Sequence, residues 1–373
     1  MARTDAGQPH RTALFDHYSQ PAVPAPSAPS SSRRRTAAAA ALATLLVLVL
    51  AGCGKTSTVR ESSLVVRGEP VTARPIAPDR GAGDSVRIVV ITHGGASSPF
   101  WAIVRNGVEA AARQMDVLVT YRAPDVYSLD RMKAMVDQAI AAKPDGLVVS
   151  LPEPGLGPEI RRAVKAGIPV VTINSGSDLA QRLGVLAHVG QPEHRAGLVA
   201  GRRLAAAGVR RALCVNQQIG NLGLDARCAG LSEAMRAAGG RSTVIGVDDM
   251  SAQTPKRLAT AIARDDIDGV LTLNSTTAME ALQAVRGMPG AGTVRIATFD
   301  LGPDVLRAVH DGRLMFAVDQ QAYLQGYLPV ALLTQRARYG LFPDEGGVIA
   351  TGPHFVTRAN AEQAIELSRR SIR

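Results

Sequence analysis

The chain predicts an α/β fold of two doubly wound parallel-sheet lobes, on three observations. From Val86 onward, short β-branched runs alternate with longer helical patterns, the arrangement that covers both faces of a parallel sheet with helices. The runs are apolar almost throughout, as strands buried on both faces must be. After Leu183 to Val189 the rhythm restarts, so two similar sets of alternating units follow one another. With 373 residues, 46% of them hydrophobic, the chain can bury cores for about two domains.

The expected strands of the first set are Val86 to Thr92, Val117 to Tyr121, Gly146 to Leu151 and Pro169 to Asn174, with helices beginning near Pro99, Ser128 and Leu156. Leu183 to Val189 closes that set. The second contains Ala212 to Asn216, Thr243 to Val247, Gly269 to Asn274 and Val294 to Phe299, and then a strand from Leu314. Helices near Glu193, Leu224, Thr254, Thr276 and Pro303 lie between them. The chain is expected to cross between lobes near Val189, Gln321 and Gly352, a three-stranded hinge. Residues 85–188 plus 321–351 then form the N-terminal lobe and 189–320 plus 352–373 the C-terminal lobe.

Ahead of the lobes, Arg33-Arg34-Arg35 precedes an uncharged apolar run from Ala37 to Leu50, followed by Leu50-Ala51-Gly52-Cys53. A basic cluster, an apolar stretch short for a permanent span and small residues before a cysteine read as an export signal over residues 1–52. The pattern resembles the bacterial lipobox, which implies lipidation of Cys53 and an anchor on the outer face of the cell membrane. Residues 53–84, rich in Ser, Thr, Pro, Gly and charge, read as a flexible tether with a reach of roughly 30 Å. Gly54-Lys55-Thr56 mimics the end of a phosphate-binding loop, but the glycine that motif needs at position 49 is Val49.

In such sheets ligands gather at the carboxyl ends of the strands. Polar residues recur there: His93 and Gly94, Asn174-Ser175, Asn216-Gln217, Asn274, Asp300 and Asp319-Gln320. Each alone suits a turn or helix cap; their recurrence points to a shared ligand. With 3% aromatic residues and one Trp, Phe100 and Trp101 stand out as rings able to cover an apolar ligand face.

At these positions the chain resembles the type I periplasmic solute-binding proteins, specifically the ribose and simple-sugar group that feeds ABC importers. The resemblance runs from about Val86 to Phe355. It is carried by Pro99-Phe100-Trp101 at the head of the first helix, Gly167-Ile168-Pro169-Val170 before the fourth strand, and Arg227 with Gly230 and Leu231. Asn274, Asp300 and Gln320 complete it. The resemblance implies capture of a monosaccharide or related polyol by hinge closure, and delivery to an ABC permease by a monomeric protein without cofactor or metal. Its ligand set would be His93, Phe100, Trp101, Asn174, Arg227, Asn274, Asp300 and Gln320. One departure matters: where ribose-type proteins carry an Asp-Arg pair after the fourth strand, this chain has Asn174-Ser175, neutral groups in place of a charged clamp.

Other classes fare worse. The formal charge of +10 is scattered in short pairs such as Arg161-Arg162, without interleaved aromatics, which argues against nucleic acid. No nucleophile elbow, H-E-x-x-H or C-x-x-C motif supports catalysis, His93-Gly94-Gly95 lacks a matching Ser, and no G-x-G-x-x-G follows the first strand as a dinucleotide enzyme requires. An export signal stands where a sugar-responsive transcription regulator of this fold would place its DNA-binding module. A receptor ectodomain that signals to a sensor kinase uses the same cleft and stays open as an alternative. With Cys53 lipidated, Cys214 and Cys228 remain as an even pair in an oxidising compartment, either bridged or two buried thiols.

Overall fold

The computed structural model describes residues 85–94, 98–248, 251–289, 291–343, 346–370 and 372. The expected export signal, Cys53 and the tether lie outside the described residues. In chain order the elements are β1 (Arg87–Ile91), α1 (Pro99–Met115), β2 (Leu118–Arg122), α2 (Leu129–Ala142), β3 (Gly146–Ser150), α3 (Gly157–Lys165), β4 (Val170–Ile173), α4 (Ser177–Ala180) and β5 (Ala187–Gly190). They continue with α5 (Glu193–Ala206), β6 (Arg211–Asn216), α6 (Leu222–Ala237), β7 (Arg241–Gly246), α7 (Thr254–Arg264), β8 (Gly269–Thr272), α8 (Ser275–Val285), β9 (Arg295–Phe299), α9 (Pro303–His310) and β10 (Ala317–Asp319). Last come α10 (Ala322–Tyr339), β11 (Gly347–Ala350), β12 (His354–Val356) and α11 (Ala361–Arg369).

Two six-stranded sheets result, in the orders β11-β5-β4-β3-β1-β2 and β12-β10-β9-β8-β6-β7. Pairing is parallel except for β12, which runs antiparallel on β10. Each sheet carries apolar layers on both faces, with Val148 and Val171 on one side of the first and Leu147 and Val170 on the other. The second sheet is likewise sandwiched, with Leu213 and Val270 facing one layer and Cys214 and Leu271 the other. Strand runs without polar alternation follow from this double burial.

The lobes exchange chain. After β5 the chain enters α5, which packs on α6 of the second lobe; after β10 it enters α10, which packs on α1 of the first. Residues between β11 and β12 make the third crossing. The strand orders put β4 opposite β9, β5 opposite β10, β1 opposite β6 and β2 opposite β7 as equivalents. Both exchanged helix pairs cross backbone to backbone on glycines. A Cβ on Gly107 would lie 2.1 Å from the Tyr323 carbonyl oxygen and one on Gly326 2.0 Å from that of Val104; Gly230 and Gly197 stand in the same relation to His194 and Arg227.

β11 and β12 are absent from the sequence expectation. They are short, four and three residues, with apolar runs of only Val348 to Ala350 and Phe355-Val356, and each lies at a sheet edge with one neighbour.

Candidate functional site

The carboxyl ends of both sheets face one cavity of about 450 Å³, and all eight of the expected ligand residues line it. Their order along it follows strand order. On the second lobe, Gln320 follows β10, Asp300 follows β9, Asn274 lies just past β8, Gln217 and Gln218 follow β6, and Asp248 lies just past β7. On the first, Asn174 follows β4, His93 lies just past β1, and Val126 and Tyr127 sit beyond β2. The hinge strands β5 and β10 lie toward one end of these rows and the edge strands β2 and β7 at the other.

The hinge end is a buried polar network around Gln320. Its side-chain nitrogen donates to Asp300 Oδ1 at 2.6 Å, and its Oε1 accepts from Arg227 Nη2 at 3.3 Å, Asn174 Nδ2 at 3.4 Å and Gln325 Nε2 at 3.1 Å. Asn174 also donates to Gln325 Oε1. Asn174 and Asp300 occupy equivalent places: each follows its strand with positive φ, 69° and 66°, and each backbone N–H donates to the neighbouring strand, to the carbonyls of Val189 and Val318. Residues with short polar side chains tolerate that left-handed turn better than most.

Arg227 projects from the second turn of α6 and is 2% exposed. Glu193, in the first turn of α5, grips it twice, with Nε to Oε2 at 2.6 Å and Nη2 to Oε1 at 2.9 Å. The guanidinium lies over the Phe299 ring, 4.4 Å from its centre. Burial alone favours neutral arginine, but the carboxylates of Glu193 and Asp300 outweigh it and hold the group above its usual pKa. Burial pushes Glu193 upward against the opposing pull of Arg227. Asp300 is raised to about 6, chiefly by burial, although Arg227 and Gln320 oppose the rise.

The first lobe contributes rings and neutral groups. His93 is lowered to about 3 by burial and so is uncharged at neutral pH. The Ser150 hydroxyl accepts from its backbone N–H and lies 2.9 Å from its Nδ1. Trp101 meets the imidazole edge to face at 4.8 Å, Tyr127 does so at 5.9 Å, and Phe100 packs on Trp101 at 5.0 Å. Trp101 is largely part of the core, whereas Phe100 is half-buried. Asn274 has two roles, since its Oδ1 caps α8 by accepting from Thr277 N at 2.8 Å. Asp300 does not cap α9, whose N-cap is Gly302.

Two contacts join the lobes directly beside the cavity. Leu222 N donates to the Pro152 carbonyl at 2.8 Å, and Ser175 Oγ donates to Asn221 Oδ1 at 3.0 Å. Asn221 in turn caps α6 through Gly223 N and Leu224 N, so Ser175 is tied to the head of the helix that carries Arg227. Cys214 and Cys228 are disulfide-bonded with Cα atoms 5.8 Å apart, fastening that helix to β6.

Sequence reasoning missed Glu193, Gln325, Ser150, Tyr127 and Gln218. Glu193 and Arg227 lie on different helices 34 residues apart, and no local pattern joins them. A large cation near the head of a helix whose apolar neighbours point to burial was the available signal that a counter-charge faces it. Among the described residues no cluster of three or more His, Cys, Asp or Glu could hold a metal, and no helix is long and apolar enough to cross a membrane.

This architecture has relatives. A carbohydrate transporter from Acidothermus cellulolyticus solved in complex with myo-inositol superposes with a TM-score of 0.72 and 34% identity, over 78% of this chain and all of that one. The xylose/arabinose-binding protein XylF of Sulfolobus acidocaldarius is 24% identical over 76% of this chain and 74% of its own length. A D-ribose/D-allose-binding protein of Pseudomonas aeruginosa is 27% identical over 60% of this chain and 73% of its own. The model of the periplasmic binding protein domain family matches residues 88–340, and with two sheets opposed across one polar cavity the chain belongs to that family.

Proposed function

We propose that this protein captures a neutral polyhydroxylated ring, a monosaccharide or a cyclitol, between its lobes outside the cytoplasm and presents it to an ABC permease, anchored through lipid on Cys53. The observation that carries the reading is the single cavity on which all eight residues converge, with rings and Asn174 from one lobe and charged and amide groups from the other. Such a ligand has an apolar C–H face and a rim of hydroxyls that both donate and accept, and each hydroxyl buried without a partner would cost about 1–3 kcal/mol. Phe100 and Trp101 suit the face; Asp300, Arg227, Asn274, Asn174 and Gln320 suit the rim. The names of the relatives, all sugar or cyclitol binders, support the class, and family membership supports the extracytoplasmic address.

Ligand held by both lobes favours the closed arrangement because only that arrangement offers both sets of contacts. No bond of the ligand need change. The test is a thermal-shift and calorimetric screen of the exported chain against myo-inositol, aldopentoses and aldohexoses. The expected result is a rise in Tm with at least one of them and no product in the recovered ligand. Absence of any shift across the panel, or recovery of a transformed compound, would refute the reading. Mass spectrometry of the exported chain should find a lipid adduct on Cys53, lost in Cys53→Ala.

A further inference from the structure

Resting on that function, we infer that the cavity has a second subsite at its mouth, and that the ligand is a neutral two-ring compound, a glycosyl-polyol or disaccharide. Asn174, Arg227, Asn274, Asp300 and Gln320 cluster toward the hinge and centre of the cavity, His93, Phe100 and Trp101 lie past β1, and none of the eight follows the edge strands β2 and β7. A pyranose or cyclitol ring with its hydroxyls fills roughly 200 Å³ at protein-like packing density. The cavity holds about 450 Å³.

Length agrees with volume. The lining runs from Asn174 after β4 to Val126 and Tyr127 after β2, and from Asp300 after β9 to Asp248 after β7. In each sheet that is three strand spacings, about 14 Å at roughly 4.8 Å per strand. One such ring spans only about 7 Å by ordinary covalent dimensions.

The mouth half is equipped for a hydroxylated ring. Gln217 Oε1 and Gln218 Nε2 are buried and have no hydrogen-bond partner among the described residues. Gln218 has its oxygen committed to Asn221 Nδ2 at 3.1 Å, which leaves its buried nitrogen as the unpartnered donor. An acceptor and a donor on adjacent residues match the two roles of a hydroxyl, and a buried amide left unpaired is costly. Across from them Tyr127 supplies an aromatic ring, fixed by donation of its hydroxyl to Glu153. The exposed carboxylate of Asp248 closes the rim on the second lobe. Among the described residues no cationic side chain lines this half, which suits an uncharged ring over a phosphorylated one.

The experiment is calorimetric titration of the exported chain with matched pairs: myo-inositol against galactosyl-myo-inositol, and D-glucose against cellobiose and melibiose. The quantity read is the ratio of one-ring to two-ring Kd. At least one pair should show a tenfold or greater preference for the two-ring member. In Gln217→Leu/Gln218→Met, and independently in Tyr127→Leu, that ratio should fall below about threefold. A one-ring compound that binds while its two-ring counterpart is excluded or gains nothing overturns the subsite and leaves the proposed function standing. A preference that survives in both variants also overturns it. Binding of neither member of any pair refutes the proposed function, and this inference with it.

Discussion

The two lobes solve the same packing problem differently. In each, an exchanged helix crosses a resident helix on a pair of glycines, α10 on α1 and α5 on α6. At the crossing of the first lobe Val104 and Ala322 occupy equivalent places and belong to one apolar cluster. At the crossing of the second the same places hold Arg227 and Glu193. A buried ion pair is often no more stable than the apolar pair that could replace it. The first lobe shows that this crossing can be built without charge. On the proposed function the ion pair serves the cavity, where it holds a protonated guanidinium beside Asp300 and Gln320.

The sharpest way to break the comparison is Glu193→Ala, which leaves a buried guanidinium without its main counter-charge. It should destabilise the fold by about 3–5 kcal/mol in denaturant titration. Glu193→Ala/Arg227→Val transplants the first lobe's solution. It should recover most of that loss, or exceed wild-type stability, while ligand binding stays abolished in calorimetry. A double variant as unstable as the single one would show that the pair serves packing after all.

The disulfide is a second asymmetry, since Val90 and Arg105 stand where the other lobe has Cys214 and Cys228. Cys214→Ala/Cys228→Ala should cost about 3 kcal/mol by the loop-closure estimate for this separation of 14 residues. Thermal unfolding with and without reductant checks it, and reductant should have no effect on the variant.

Asn174 and Asp300 are the third contrast, one backbone geometry with two chemistries. Hydrogen bonds to a charged group are worth about 1.5–3 kcal/mol against 0.5–1.5 for neutral ones, so Asp300→Asn should weaken ligand binding more than Asn174→Ala. Binding should also weaken as pH falls through about 6, where Asp300 takes up a proton, and this dependence should vanish in Asp300→Asn. The stability term has the opposite sense. With its folded pKa raised above the unfolded value of 3.8, Asp300 contributes stability that is fully present below that value and lost as pH rises through about 6. His93, lowered to about 3, contributes stability present above 6.5 and lost as pH falls toward 3, and stays neutral over the range in which binding would be measured. The smallest effect expected is for Ser175→Ala, about 1 kcal/mol against the closed arrangement, visible as a larger radius in small-angle scattering of the unliganded protein.

How much of this was legible in the chain depends on whether the signal was local. The parallel strands were, because burial on both faces leaves runs such as Gly146 to Val149 without a polar interruption. The polar residues at strand ends were, because a buried strand must stop before a polar side chain can face a cavity. β11 and β12 were not, since apolar runs of three and two residues, Val348 to Ala350 and Phe355-Val356, are too short to stand out from loop. Glu193 was invisible because its meaning is given by Arg227 on another helix, and Tyr127 and Gln218 because their place at the mouth depends on strand order, which β-propensity does not encode. The ambiguity at Asn274 was real: one side chain both caps a helix and lines the cavity.

Gln320 sits in one of the three connecting segments, while Tyr127 and Asp248 lie beyond the sheet strands farthest from them. In a pair of jaws, points near the pivot hardly travel and points at the tips travel farthest. Whatever touches Gln320 gains nearly the same grip at any gape, and so has little leverage over shutting. Contacts at the tips are won only at the end of the swing, so the far end of a guest, not the end seated first, would do most to decide whether the jaws stay shut.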